Sequence, residues 1–151
     1  MNDYGIISFI YNGKHVSTYI HFDSQPGNLG VDLVEEIRTL LKKYGSVKKL
    51  AERIFNLEIV TQESPIYDID LKILGETKHE DMTWKRLLYH TSGSVVNMIE
   101  SGYLLDCGVK GCTEIEQYNY ILDFDQCLFK VEPEDVVFPL NQIPEDWPPT
   151  C

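Results

Sequence analysis

The chain has 151 residues, of which 43% are hydrophobic and 25% are charged, as in an ordinary soluble globular protein. Its apolar runs are too short to span a membrane, and its first residues lack the basic segment of a secretory leader, so we expect a cytoplasmic protein. The net charge of −11 repels phosphate backbones and argues against nucleic acid as a partner. That charge fits either mere solubility or docking on a basic surface.

Residues 5–22 predict a β-hairpin. Asn12-Gly13 separates two strand-like runs, and both positions of a two-residue turn need positive φ. With Tyr11 opposite Lys14, side chains alternate between two faces of the second strand. These are an apolar set, Val16, Thr18, Ile20 and Phe22, and a more polar set, His15, Ser17, Tyr19, His21 and Asp23.

Residues 29–45 predict the first helix, with apolar residues at helical spacing, acids early, lysines late and Gly45 at the end. Ser46 is expected to cap a second, short helix. Residues 56–80 are ambiguous. LEIVT at 57–61 is compatible with a strand, and residues 62–80 are compatible with a loop that contains one short strand, since Pro65 disfavours a central strand.

Residues 81–102 predict further helical structure. Asp81 is a candidate N-cap, Ser94 can cap a second piece, and Gly102 ends it. The stretch TSGS at 91–94 either kinks one helix or separates two.

The C-terminal part predicts two more strands, joined by a turn at Asp125-Gln126 within residues 118–131. The order is then a hairpin, helices and a second hairpin. This order predicts a single α+β domain over residues 1–132, with a mainly antiparallel sheet and helices on one face. Residues 133–151 contain five of the seven prolines and predict an extended, irregular arm, which either packs on the domain or binds a partner groove.

Three stretches resemble a family of phage and giant-virus proteins that also has fungal and bacterial members. They are GIISFIYNGKHVSTYIHFDSQPGNLG at 5–30, WKRLLYHTSGSVVNMIESG at 84–102 and YNYILDFDQCLFKV at 118–131. In that family a motif reading HFDSYPSGLG follows an N-terminal hairpin. The family's opening Thr-Arg-Gly is Asp3-Tyr4-Gly5 here, and Gln25 replaces the Tyr of its turn. The resemblance implies a viral or phage-related origin and brings no activity with it.

His21 and Asp23 are the candidate chemistry of the N-terminal block, because residues two apart on a strand point the same way. Asp123 and Asp125 would join them if the C-terminal strand lay beside the hairpin. The predicted ligand-binding set is therefore Tyr19, His21, Asp23, Ser24, Asp123 and Asp125. The competing interpretation is structural, with Asp23 and Ser24 only forming the turn into the first helix.

The four cysteines, Cys107, Cys112, Cys127 and Cys151, show no zinc-binding spacing. We expect free thiols, no metal and no other cofactor, with a Cys107–Cys112 bridge as the alternative. No catalytic nucleophile is evident, and Asn2 disfavours an N-terminal nucleophile. The sequence thus favours a non-enzymatic binding protein that acts on a host protein or a small ligand. The alternative is a small hydrolase, metal-assisted or not, that uses His21 and Asp23.

Overall fold

The computed structural model describes residues 5–20, 29–78, 80–107, 118–132 and 134–147. The described strands are Gly5–Tyr11 (β1), Lys14–Ile20 (β2), Glu58–Val60 (β3), Tyr103–Leu105 (β4), Tyr118–Asp123 (β5), Leu128–Glu132 (β6) and Val136–Pro139 (β7). The described α-helices are Val31–Tyr44 (α1), Val47–Phe55 (α2), Asp68–Leu74 (α3), Trp84–Leu87 (α4) and Val95–Ser101 (α5). None of these helices has both the length and the apolar character needed to cross a bilayer.

The N-terminal hairpin has the predicted register, with Tyr11 opposite Lys14 and Phe9 opposite Val16. Asn12 and Gly13 have φ values of 52° and 75°. Both turn residues are therefore in the left-handed region, as a two-residue hairpin between twisted strands requires. The prediction of the hairpin and of its turn is confirmed.

The two terminal hairpins meet through a parallel pair of strands. The main sheet has the order β2-β1-β5-β6-β7, and β1 runs parallel to β5, with Gly5 opposite Tyr118 and Ile10 opposite Asp123. The other pairs of this sheet are antiparallel. Parallel neighbours need a long crossover, which the helical segment between β2 and β5 provides. The predicted fold class, α+β with a mainly antiparallel sheet and helices on one side, is confirmed.

The first two helices form as predicted. Gly45 ends α1 at a φ of 91°, and the Ser46 hydroxyl accepts the Lys49 N–H at 3.1 Å to cap α2. Glu36, on the partly buried side of α1, binds the start of α5. Its carboxylate accepts the Ser94 hydroxyl at 2.6 Å and the Val95 N–H at 2.8 Å. A negative charge at a helix N-terminus is stabilising, so Glu36 fixes α5 on α1.

Residues 56–80 differ from the expectation. LEIVT does contain a strand, β3, but the predicted loop with one short strand is wrong, because residues 68–74 form α3. The Asp70 carboxylate accepts the Tyr67 N–H at 2.9 Å, and Gly75 ends the helix at a φ of 71°. The helix was missed because it is short and because Ile69 and Ile73 are exposed, so it lacks the usual inward apolar stripe.

The next helices begin at different caps. Thr83, not Asp81, caps α4, and its hydroxyl accepts the Arg86 N–H at 3.2 Å. A 3-10 turn at 89–91 then separates α4 from α5, which resolves the two interpretations of TSGS. Ser94 caps α5 and Gly102 ends it, as predicted. The strand β4 was not predicted, and it pairs in parallel with β3 in a separate two-stranded sheet.

Two hydrophobic clusters hold the described residues together. The main core lies between the five-stranded sheet and α1, α2 and α5. A second, smaller core lies under β3, β4, α3 and α4. Its buried members are Val60, Leu71, Trp84, Leu87, Leu88 and Tyr103.

The C-terminal segment is more ordered than the predicted irregular arm. Residues 136–139 form the edge strand β7, and Leu140 and Ile143 belong to the main core. The Trp147 ring packs edge-on against Phe129 with centroids 5.6 Å apart. Arg38 of α1 donates to the Ile143 and Pro144 carbonyls at 3.0 and 2.9 Å. An edge position tolerates the proline that ends β7, since its missing N–H is not needed by a neighbour.

Candidate functional site

Three of the six predicted ligand-binding residues, His21, Asp23 and Ser24, lie outside the described residues, as does the predicted turn at 23–27. Tyr19 is described and is partly exposed near the end of β2. Its carbonyl accepts the Ser92 hydroxyl at 3.3 Å, which connects β2 to the segment before α5.

Asp125 binds the turn of the N-terminal hairpin. Its two carboxylate oxygens accept the Asn12 N–H at 2.7 Å and the Gly13 N–H at 3.1 Å. Nearby, the Phe124 N–H donates to the Ile10 carbonyl at 2.8 Å. The exposed carboxylate of Asp125 thus joins the ends of β1 and β5, and its role in the described structure is to hold the turn.

Asp123 is buried and shapes the turn between β5 and β6. One carboxylate oxygen accepts the Gln126 N–H at 3.0 Å, a short-range contact typical of an aspartate that begins a turn. The other lies 3.9 Å from the Lys130 ammonium. Asp123, like Asp125, therefore has a structural partner for each of its oxygens.

The parallel pairing of β1 and β5 separates Tyr19 from the aspartate pair. Tyr19 lies opposite Ile6, and Ile6 lies opposite Asn119. Asp123 is four residues further along β5, about 13 Å away at the rise of a strand. Tyr19 therefore lies toward one end of these strands and the two aspartates toward the other, and the predicted ligand-binding set stays a prediction.

A row of polar side chains crosses the sheet on the face opposite the main core. The Ser8 hydroxyl lies 3.0 Å from that of Ser17 and donates to Asn119 Oδ1 at 3.0 Å. His15 Nε2 lies 3.4 Å from the Ser17 hydroxyl. A serine beside an imidazole is the chemistry of a nucleophile and its base, but Ser17 is only 4% exposed. The row instead satisfies hydroxyl groups that the sheet buries.

The helix α3 is anchored from inside by one buried polar contact. The Tyr103 hydroxyl of β4 donates to Asp70 Oδ1 at 2.7 Å. Burial, together with that carboxylate, raises the pKa of Tyr103 far above its usual range. Trp84 packs against the Tyr103 ring with centroids 5.4 Å apart, and its indole N–H donates to the Ser64 carbonyl at 2.9 Å. The inner side of α3 is thus held by the Tyr103–Asp70 hydrogen bond, and the Tyr103 ring is held in turn by Trp84.

The outer side of α3 carries apolar side chains in contact with solvent. Ile69 and Ile73, one helical turn apart, are 58% and 59% exposed, and Tyr67 just before the helix is 62% exposed. We call Tyr67, Ile69 and Ile73 the α3 ridge. This ridge is not among the sites predicted from the sequence. The signal that could have found it is the i, i+4 pair of isoleucines in a segment that ends at Gly75.

A pocket lies at each end of α3. The pocket at its C-terminal end has a volume of about 260 Å³ and is lined by Ile73, Leu74, His90, Asn97, Glu100 and Ser101. The pocket at its N-terminal end has a volume of about 310 Å³, and its walls include Ile66, Asp68, Leu71, Lys78, Met82 and Trp84. Of the ridge residues, Ile73 lines the pocket at the C-terminal end.

Within the described ranges, no group of three or more His, Cys, Asp or Glu side chains could hold a metal ion. Cys127 is exposed and unbridged, with its thiol 3.8 Å from the Phe124 carbonyl. Cys112 and Cys151 lie outside the described residues, so the alternative of a bridge to Cys112 stays a prediction.

Comparisons with known proteins give no relative to set beside this geometry: no family model, no curated protein and no solved structure matches the chain.

Proposed function

We propose that this protein is a non-enzymatic binding protein that docks a partner protein on the α3 ridge. The observation that carries the proposal is the position of the ridge. Three of the large apolar side chains most exposed to solvent occur within residues 67–73, on a helix whose inner side is held by the Tyr103–Asp70 hydrogen bond. Large apolar side chains exposed one helical turn apart, with a pocket beside one of them, support an interaction site on this helix.

The charges around the ridge indicate the chemistry of the partner. Asp68, Glu76 and Glu100 are exposed acidic residues on or beside α3, against the exposed lysines Lys72 and Lys78. The chain as a whole has a net charge of −11. The partner is therefore an apolar protein surface bordered by lysine or arginine, and a second copy of this acidic chain is disfavoured.

The predicted viral or phage-related origin and the predicted cytoplasmic location are part of this proposal. The resemblance to phage and giant-virus proteins makes a host protein the partner and the host cytoplasm the place of action. The alternative, a small hydrolase that uses His21 and Asp23, stays a prediction, because both residues lie outside the described structure.

The test is a comparison of two double variants. Ile69→Ser/Ile73→Ser removes the apolar surface of the ridge, and Val31→Ser/Val137→Ser removes two exposed valines elsewhere, 40% and 50% exposed, as the matched control. The partner is first identified by cross-linking to the wild-type chain in host extract and is then purified. Calorimetry measures its affinity for the wild-type chain and for each of the two double variants.

We expect the ridge variant to weaken the affinity for that purified partner more than about tenfold, since two apolar side chains no longer become buried. The control should stay within about twofold, and added salt should weaken binding to the wild-type chain. Equal effects of the two double variants, or failure of every purified candidate to bind the wild-type chain, would contradict the proposal.

A further inference from the structure

The pocket at the N-terminal end of α3 has two half-buried apolar side chains, Ile66 and Met82, above a buried apolar base. Leu71 and Trp84 are 6% and 1% exposed and form its inner surface, with the partly buried Ile66 and Met82 beside them. The bond from the Trp84 indole to the Ser64 carbonyl holds the ring in one orientation. Its volume of about 310 Å³ is at the small end of the range for ligand sites.

Two opposite charges line the same pocket without pairing. Asp68 and Lys78 both line it and both are exposed. In the part of the chain that the structure describes, the ion pairs are Glu35–Arg38 and Asp123–Lys130, so neither Asp68 nor Lys78 is in one. A carboxylate and an ammonium that share one small pocket but do not contact each other leave room for a ligand that carries both charges.

We infer that this pocket binds a single free amino acid with an apolar side chain. Lys78 binds its carboxylate, Asp68 binds its ammonium group, and its side chain lies against the half-buried Ile66 and Met82. The inference rests on the pocket and its two charges. It does not depend on the α3 ridge docking a protein.

The first measurement titrates the full chain with three ligands by calorimetry. L-phenylalanine has both charges, phenethylamine lacks the carboxylate and 3-phenylpropionate lacks the ammonium group. We expect phenylalanine to bind and each analogue to bind about tenfold more weakly or less, because one charge of the pocket then stays unpaired. Absence of phenylalanine binding, or equal affinity for all three ligands, would overturn the inference.

The second measurement assigns the two contacts. Lys78→Met should weaken phenylalanine binding about tenfold and leave phenethylamine unchanged, whereas Asp68→Asn should weaken phenylalanine equally and leave 3-phenylpropionate unchanged. Lys85→Met, at an exposed lysine of α4 that does not line the pocket, is the matched control and should change nothing. Loss of phenylalanine binding in the control, or no loss in the other two variants, would overturn the assignment.

Discussion

Asp125 shows how a single exposed side chain determines the geometry of a turn. Asn12 and Gly13 both have positive φ, and their N–H groups point to one acceptor, the Asp125 carboxylate. The contact joins residues 113 positions apart in the chain, so it ties the N-terminal hairpin to the turn after β5. The sequence showed the Asn-Gly turn through local pattern alone, but a partner so far away leaves no local pattern, and Asp125 was interpreted as a ligand-binding residue instead.

Replacing this carboxylate tests that structural role. Asp125→Ala should lower the free energy of unfolding by about 1 kcal/mol, the usual cost of losing a side-chain acceptor for backbone N–H groups. Asp146→Ala removes another exposed aspartate and should cost less than about 0.5 kcal/mol. Urea denaturation of the three proteins measures both values. If Asp125→Ala is as stable as the wild type, the structural role of Asp125 is contradicted and a ligand-binding role is favoured.

At the scale of elements, the segments with a clear inward apolar stripe were predictable and the others were not. The helix α1 has its buried residues Leu33, Val34, Ile37 and Leu40 at helical spacing, and its prediction is confirmed. In α3 only Asp70 and Leu71 are buried. Its position depends on a hydrogen bond to Tyr103 of β4, 33 residues later, which no periodicity reveals. The α3 ridge was not predictable for the same reason. A helix is recognised by apolar residues that face the core, whereas the isoleucines of α3 are exposed.

The Tyr103–Asp70 contact makes the stability of this region dependent on pH. Tyr103→Phe keeps the ring but leaves the buried Asp70 oxygen without its donor, so we expect a loss of roughly 1–3 kcal/mol near neutral pH. The pKa of Tyr103 is raised in the folded chain, so the unfolded chain ionises first, near pH 10, and the contribution of Tyr103 is lost as pH rises above that value.

The stability difference between wild type and Tyr103→Phe should therefore shrink between about pH 8 and about pH 11. Urea denaturation at both pH values gives the difference directly, and the other tyrosines, common to both proteins, cancel from it. A difference that stays constant or grows with pH would show that Tyr103 does not titrate differently in the folded and unfolded chains.

At the scale of the whole molecule, the two cores differ in size and in how their strands are paired. The strands β1 and β5 are each paired on both sides and lie over the main core. Within the described residues, β3 and β4 pair only with each other over three residues, and β4 places Tyr103 in the second core and Leu104 in the main one. The sequence predicted both terminal hairpins, since each is a local feature. It did not predict the parallel contact between β1 and β5 or the separate β3–β4 sheet, because both depend on where the intervening helices place distant segments.

This division predicts two levels of local stability. Amide hydrogen exchange should be slowest in β1 and β5 and at least about tenfold faster in β3 and β4, because opening of the second core exposes less apolar surface than global unfolding. Tyr103→Phe should speed exchange in β3, β4 and α3 while leaving β1 and β5 nearly unchanged under conditions that favour the folded state. Mass spectrometry of peptides from both regions measures this. Equal protection in the two regions, with equal acceleration in the variant, would mean that both cores open as one cooperative unit.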